Sequence, residues 1–131
     1  MNQLLAEITD IKTSDDLALV KMICEDEIFS SLIISRDDSI AIGKKIWMSF
    51  KETEVMLREN TGEGISIKNR FKSTIKSLQK GKILCEVILN YKGHSITSII
   101  TTESCETLNL FIGKEVEALV KTNDLMLIQH Q

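Results

Sequence analysis

Gly113-Lys114-Glu115-Val116-Glu117-Ala118-Leu119-Val120-Lys121-Thr122-Asn123-Asp124-Leu125-Met126-Leu127 is the stretch that decides the fold. It opens on a turn glycine, alternates through a strand, reaches a lysine where that strand ends, and closes on a short apolar strand. Alternation puts Val116, Ala118 and Val120 on one face and Glu115, Glu117 and Leu119 on the other, as in a half-buried strand. Lys121 then stands at a fixed place, the end of that strand. A fainter copy lies 70 positions earlier, from Gly43-Lys44-Lys45-Ile46-Trp47-Met48-Ser49-Phe50-Lys51 on to Val55-Met56-Leu57. Lys51 and Lys121, and Met56 and Met126, keep that offset.

Working outward, the repeat extends over the whole chain. Asn2 and Asn69, Ile8 and Ile75, Leu17 and Leu84, and Val20 and Val87 are each 67 apart, and Ile33 and Ile34 match Ile99 and Ile100 at 66. The change of offset adds four residues to the second copy between Thr101 and Ile112, enough for a short helix. Thr101-Thr102-Glu103-Ser104 reads as its start, with a capping hydroxyl and an acid in the first turn. In the first copy, strands are expected near Leu4–Ile11, Leu17–Cys24, Ile28–Ile34, Lys45–Phe50 and Glu54–Leu57. In the second they fall near Phe71–Leu78, Lys82–Asn90, Ser95–Ile100 and Val116–Val120, then the final apolar strand. Turn residues and β-branched content favour strands over helices. The expected fold is therefore all-β: two tandem OB-like five-stranded barrels, with one short helix in the second repeat near Thr101–Leu110. The units are residues 1–60 and 65–131, joined by a polar, glycine-bearing linker at 61–64.

Composition narrows the function. Aromatics make up 5% of the 131 residues, so an aliphatic core is expected, and with no proline the turns fall to Gly, Asn, Asp and Ser. The apolar runs are far too short to span a membrane, and Met1–Thr13 lacks the pattern of a signal peptide. Cys24, Cys85 and Cys105 are widely spaced, which argues against a disulfide framework or a zinc site and for buried thiols in a reducing cytoplasm. Residues 1–60 carry twelve acids and seven bases, whereas residues 61–131 carry seven and nine. Lys68, Arg70, Lys72, Lys76, Lys80 and Lys82 form an acid-free run that attracts anions. His94, in a hairpin turn, and His130, near the end, are expected in solvent. No nucleophile motif, phosphate-binding glycine loop or carboxylate pair at metal spacing occurs, so the chain is read as a non-enzyme.

Three blocks resemble the molybdenum-pterin-binding (Mop) domain, also called the TOBE domain. Ile65-Ser66-Ile67-Lys68-Asn69-Arg70-Phe71 is similar to that family's opening Ile-Ser-Ala-Arg-Asn-Gln-Leu, and Asn2-Gln3-Leu4-Leu5 looks like the same opening cut short. Ile99-Ile100-Thr101-Thr102-Glu103-Ser104 resembles its Val-Ile-Thr-Arg-Glu-Ser, and Gly113 to Leu127 its Gly-Lys-Glu-Val-Thr-Ala-Leu-Ile-Lys-Ala-Ser-Ser-Val-Met-Leu. The resemblance implies a tandem, molbindin-like protein of the cytoplasm that binds molybdate or tungstate at interfaces between domains. It also implies a homo-oligomer, a trimer or a dimer, with no organic cofactor and no membrane. The oxyanion-binding positions it implies are Ser66, Lys68, Asn69, Thr101, Ser104, Lys121 and Thr122. The sequence departs from the family at Lys68, where arginine is usual, at Ile67 and at Thr122-Asn123. In the first repeat the Ser-x-Arg part is missing and Glu52 follows Lys51, so that repeat is expected to be impaired.

These residue types suit a compact tetrahedral dianion. Four acceptor oxygens call for donors from several sides, which hydroxyls provide, and the lysines supply compensating charge. No proton need move. Two other functions fit less of the sequence. One is a ligand-sensing module acting on a molybdate-responsive regulator or transporter. The other is an OB-type nucleic-acid binder using the Lys68–Lys82 run, against which stand the acidic pI of about 5.4 and a single aromatic in that run.

Overall fold

The computed structural model describes residues 1–34, 37–59 and 62–131. Among these the chain forms ten strands: β1 (Asn2–Ser14), β2 (Leu17–Cys24), β3 (Glu27–Ile34), β4 (Lys45–Phe50), β5 (Met56–Arg58), β6 (Asn69–Lys80), β7 (Leu84–Tyr91), β8 (His94–Thr101), β9 (Glu115–Val120) and β10 (Met126–Gln129). Helix α1 (Thr102–Thr107) follows β8, and a 3-10 turn (Glu52–Glu54) follows β4. The first repeat thus has no counterpart of α1 among its described residues, as the four extra residues require.

The strands form two antiparallel five-stranded sheets, in the orders β10-β4-β1-β2-β3 and β5-β9-β6-β7-β8. Each sheet takes one edge strand from the other half of the sequence. Met126–Gln129 pairs with Ile46–Ser49 of the first half, and Met56–Arg58 pairs with Glu117–Leu119 of the second. The units 1–60 and 65–131 are therefore units of sequence whose last strands have changed places. Of the expected linker 61–64, Thr61 lies outside the described residues, as does the neighbouring Asn60. Gly62 is held by its carbonyl, which accepts from Arg58 Nη2 at 2.7 Å and Arg70 Nη1 at 2.5 Å.

The two halves repeat in detail. β1 is bulged between Ile8 and Asp10, and β6 between Ile75 and Ser77. At each bulge the freed carbonyl accepts the N–H of the turn glycine, Gly43 on Ile8 and Gly113 on Ile75, both at 2.8 Å. These glycines have φ of +89° and +95°, a left-handed conformation that a side chain would strain. The turn glycine opening the decisive stretch is thus needed where it stands.

Burial departs from simple alternation. In β9 Glu117 and Leu119 are buried as well as Val116, Ala118 and Val120. The exchanged strand β5 brings Arg58 onto Glu117 (Nε to Oε1, 2.7 Å), so β9 is covered on both faces rather than half-buried. The core is one cluster drawing on both halves. It is mainly aliphatic, but aromatics join the halves: Phe71 meets Tyr91, Phe29 and Phe50 at ring-centre distances of 4.8, 5.7 and 6.4 Å. Few aromatics suffice because four of them converge there.

The hairpin tips of the two halves also meet. Glu25 and Asp26 turn through positive φ, as do Lys92 and Gly93, the geometry of a tight two-residue hairpin. Lys92 Nζ donates to Glu25 O (2.9 Å) and lies 3.3 Å from Glu27 Oε1. Tyr91 Oη donates to the Glu27 carboxylate. His94 Nε2 lies 3.0 Å from Glu25 Oε1, so His94, while partly exposed to solvent as expected, also bridges the halves. His130 is exposed but leans on Trp47, with ring centres 5.8 Å apart.

Candidate functional site

The ladder between β6 and β9 ends at the pair Asn69 and Val120. Lys68 and Lys121 are the next residues on the two strands, so the register sets them side by side at the ladder's end. Both are exposed, and among the described residues neither forms an ion pair. Adjacent like charges repel unless an anion lies between them. Ser66, also exposed, stands two residues before Lys68. Thr122 follows Lys121 and is half-buried; its carbonyl accepts the N–H of Leu32 at 3.0 Å. That bond pins the turn after β9 to β3 of the other half. The N–H groups of Lys121 and Thr122 have no acceptor among the described residues.

Asn69 is different in kind. It is fully buried. Its Nδ2 donates to Ser30 O (2.8 Å) and its Oδ1 accepts from Ser30 N–H (2.7 Å). Asn2 makes the same double contact with Thr97, with both bonds at 2.8 Å. Each asparagine therefore clamps a strand of the opposite half, and its amide group is fully engaged there. Ser31 and Ser98 extend the pattern: Ser31 Oγ donates to Leu125 O, and Ser98 Oγ to Val55 O at 2.8 Å. Sequence reasoning passed over these serines, although their 67-residue separation, shared with Asn2 and Asn69, marked them as one repeated slot.

Thr101 and Ser104 form a second cluster. Thr101 caps α1: its Oγ1 accepts Ser104 N–H (3.0 Å) and donates to Ser104 Oγ (2.8 Å). Thr102 Oγ1 anchors the helix start to Gly81 O at 2.8 Å. Thr101 pairs with Leu84, which ties this cluster to the Lys80 end of β6. Lys68 and Lys121 sit at its Asn69 end. Across the barrel the two ends are linked: Ser98, three residues before Thr101, donates to Val55 O at 2.8 Å, and Met56 pairs with Leu119, two residues before Lys121. One chain thus gathers Ser66, Lys68, Lys121 and Thr122 at one end of the sheet and keeps Thr101 and Ser104 at the other. Ser104 instead lines a groove of about 440 Å³ beside Thr53, Val55 and Met56 of the first half.

The equivalent strand end in the first half is Lys51. Its N–H donates to Glu54 Oε1 at 2.9 Å. The Glu52 carboxylate lies 2.7 Å from the Met1 ammonium. That contact, then Glu52's own main-chain N–H, holds its carboxyl below the usual range.

The sequence matches the TOBE domain over residues 65–127, a segment that contains all seven positions singled out above. It is 40% identical over 65 residues to molybdenum-pterin-binding protein 1 of Clostridium pasteurianum, covering 96% of that protein and 49% of this chain. The chain belongs to the molybdenum-pterin-binding (Mop/TOBE) family. Over 131 residues it is also 24% identical to the molybdenum transport protein ModE of Azotobacter vinelandii, covering 96% of this chain and 48% of ModE. In fold it is similar to the cytoplasmic molybdate-binding protein ModG, solved with molybdate bound. The TM-score is 0.92 at 24% identity, covering 98% of this chain and 96% of ModG. That likeness extends over both halves, so the first half shares the family's tandem fold even where its sequence has drifted.

Proposed function

We propose that the chain is a cytoplasmic binding protein for molybdate or tungstate that stores the oxyanion and buffers its level, without catalysing a reaction. The observation that carries this is the pairing of Lys68 with Lys121 at the end of the β6–β9 ladder, unpaired by any acid among the described residues, with Ser66, Thr122 and open N–H groups adjoining. A dianion taken from water needs just such fixed donors and positive charge. The Thr101–Ser104 pair stands beyond the opposite end of β6 from the two lysines. A second copy brings its own helix start to the lysine end, so the sites lie between subunits of a homo-oligomer, a trimer or a dimer. Asn69 serves this site by position, locking the start of β6 to the other half, while the remaining six residues supply the contacts. On this reading residues 1–60 and 65–131 are two Mop units of unequal quality.

Calorimetric titration with molybdate, tungstate and sulfate tests the reading, together with light scattering. Expected are saturable binding of the first two, weaker binding of sulfate, and an oligomer at micromolar concentration. A monomer, or no heat with molybdate, defeats it. The end-to-end match with ModE favours one second reading, a sensing module for a regulator or transporter. A stable partner recovered from cytosol only when molybdate is present would favour that role over storage.

A further inference from the structure

The strand ends at Lys51 and Lys121 hold the same slot of the repeat and turn in the same way. Glu54 N–H donates to Lys51 O and Asp124 N–H to Lys121 O, both at 3.0 Å. They differ in what satisfies the donors at the start of the turn. At Lys121 the N–H groups of residues 121 and 122 are open among the described residues, and residue 122 is an uncharged threonine. At Lys51 the same N–H is taken by the Glu54 carboxylate at 2.9 Å, while the Glu52 carboxylate, in the slot of Thr122, is paired at 2.7 Å with an ammonium group. The first half has two carboxylates in this turn, Glu52 and Glu54; the second has one, Asp124 in the slot of Glu54, and a threonine in the slot of Glu52.

We infer that Glu52 and Glu54 are a built-in anion: they fill the strand-end donor set of the first half, so that only the Lys121 end of each chain accepts an oxyanion. This rests on the proposed role of Lys121. A dianion approaching Lys51 finds that N–H already bound by the Glu54 carboxylate, with Glu52 beside it, and must displace Glu54 to reach the donor. The arrangement goes further than a decayed copy. A merely eroded site keeps its donors open and binds weakly. A site whose donor is held by its own carboxylate binds nothing until that carboxylate is displaced. The number of oxyanions bound per chain is then fixed by two side chains of one turn.

The test exchanges the two turns in the full-length protein. Glu52→Thr with Glu54→Asp gives the first half the second half's residues, and Thr122→Glu gives the second half the first half's charge. Molybdate titration by calorimetry reads sites per chain and affinity, with melting and light scattering as checks on fold and assembly. The double variant is expected to gain a further class of sites, weaker than the original because Met1 stands in the slot of Lys68. Thr122→Glu is expected to lose about 100-fold or more in affinity, as a carboxylate beside a dianion requires. Thr122→Gln, of the same size without the charge, is expected to lose about tenfold at most. Wild type that binds, with a double variant that gains no site or a Thr122→Glu variant that binds like Thr122→Gln, overturns the inference alone. Wild type that binds no molybdate overturns the proposed function with it.

Discussion

The first and second halves of this chain share a backbone and have parted in chemistry. They agree at the bulges, at the turn glycines and at the asparagine clamps, to within a few tenths of an ångström in hydrogen-bond length. They disagree at the strand ends, where one lysine is attended by open donors and the other by glutamates. They disagree also at the hairpin tips, acidic at Glu25 to Glu27 and basic at Lys92 and His94. The difference teaches that what holds the halves together has been kept twice, whereas what touches solvent or ligand has been kept once. At the tips divergence helps pairing: two acidic tips face to face repel, as do two basic ones, and only the unlike pair is balanced.

The strongest way to break the comparison is to ask whether the halves are separable. Phe71→Ala removes the ring in contact with Phe29, Phe50 and Tyr91 and is expected to cost about 3–5 kcal/mol. Trp47, the one tryptophan, lies in the first half. Its fluorescence should nevertheless report the same lowered melting temperature as far-ultraviolet circular dichroism. Two separate transitions, with that of Trp47 unmoved, mean that the halves fold independently.

Asn69→Ala and Asn2→Ala come next. Each leaves a buried N–H and carbonyl of the opposite half without partners, a loss of about 2–3 kcal/mol that should be nearly equal at the two positions. Chemical denaturation measures both. If Asn69→Ala weakens molybdate binding in assembled protein while Asn2→Ala does not, Asn69 contacts the ligand as well as clamping. The two lysines sharpen the functional side. Lys121→Ala is expected to weaken molybdate binding about 30-fold, or about 2 kcal/mol, and Lys51→Ala by less than about threefold. Equal losses mean that both strand ends serve. The smallest effect belongs to the tips: Glu25→Lys is expected to cost about 0.5–1 kcal/mol, because its partners are exposed. A double-mutant cycle with Lys92→Glu should recover part of that loss, and additive losses deny any coupling of the tips.

Alkali tests both halves together. Burial, reinforced by Glu25 and Glu27, raises the Cys24 thiol to about 11, and burial with Cys105 beside it raises Cys85 to about 11. A folded value above the unfolded one means that the thiols contribute stability fully below about pH 8.5, and that this is lost as pH rises toward 11. Denaturation midpoints should therefore fall across that window. A thiol reagent at pH 8 should label all three cysteines only after unfolding. Prompt labelling of the native protein contradicts their burial.

Much of this was legible beforehand, and the reasons for the rest are physical. The constant offsets revealed equivalent slots because a repeated backbone demands the same glycine, the same asparagine and the same strand-end lysine. The helix start was legible because Thr101 must cap and Ser104 must be capped. The exchange of β5 and β10 was not. Val55-Met56-Leu57 and Leu125-Met126-Leu127 are almost the same strand, and nothing in three apolar residues says which of two like sheets receives them. The burial of both faces of β9 follows from that exchange, since Arg58 reaches Glu117 only on the crossing strand. Asn69 was found as a position, but its clamp on Ser30 was not, because a side-chain contact across 39 residues leaves no local trace.

The crossing strands make the molecule a clasp. Each half closes the other's sheet with its own last strand, so strand pairing, and not the connection through Gly62 and Gly64 alone, joins the halves. A protease cutting there would free neither half. The two fragments would stay interlocked, and if made separately each would offer the other a bare sheet edge and the strand that fits it. The chain is thus a natural split protein, whose pieces reassemble by strand complementation.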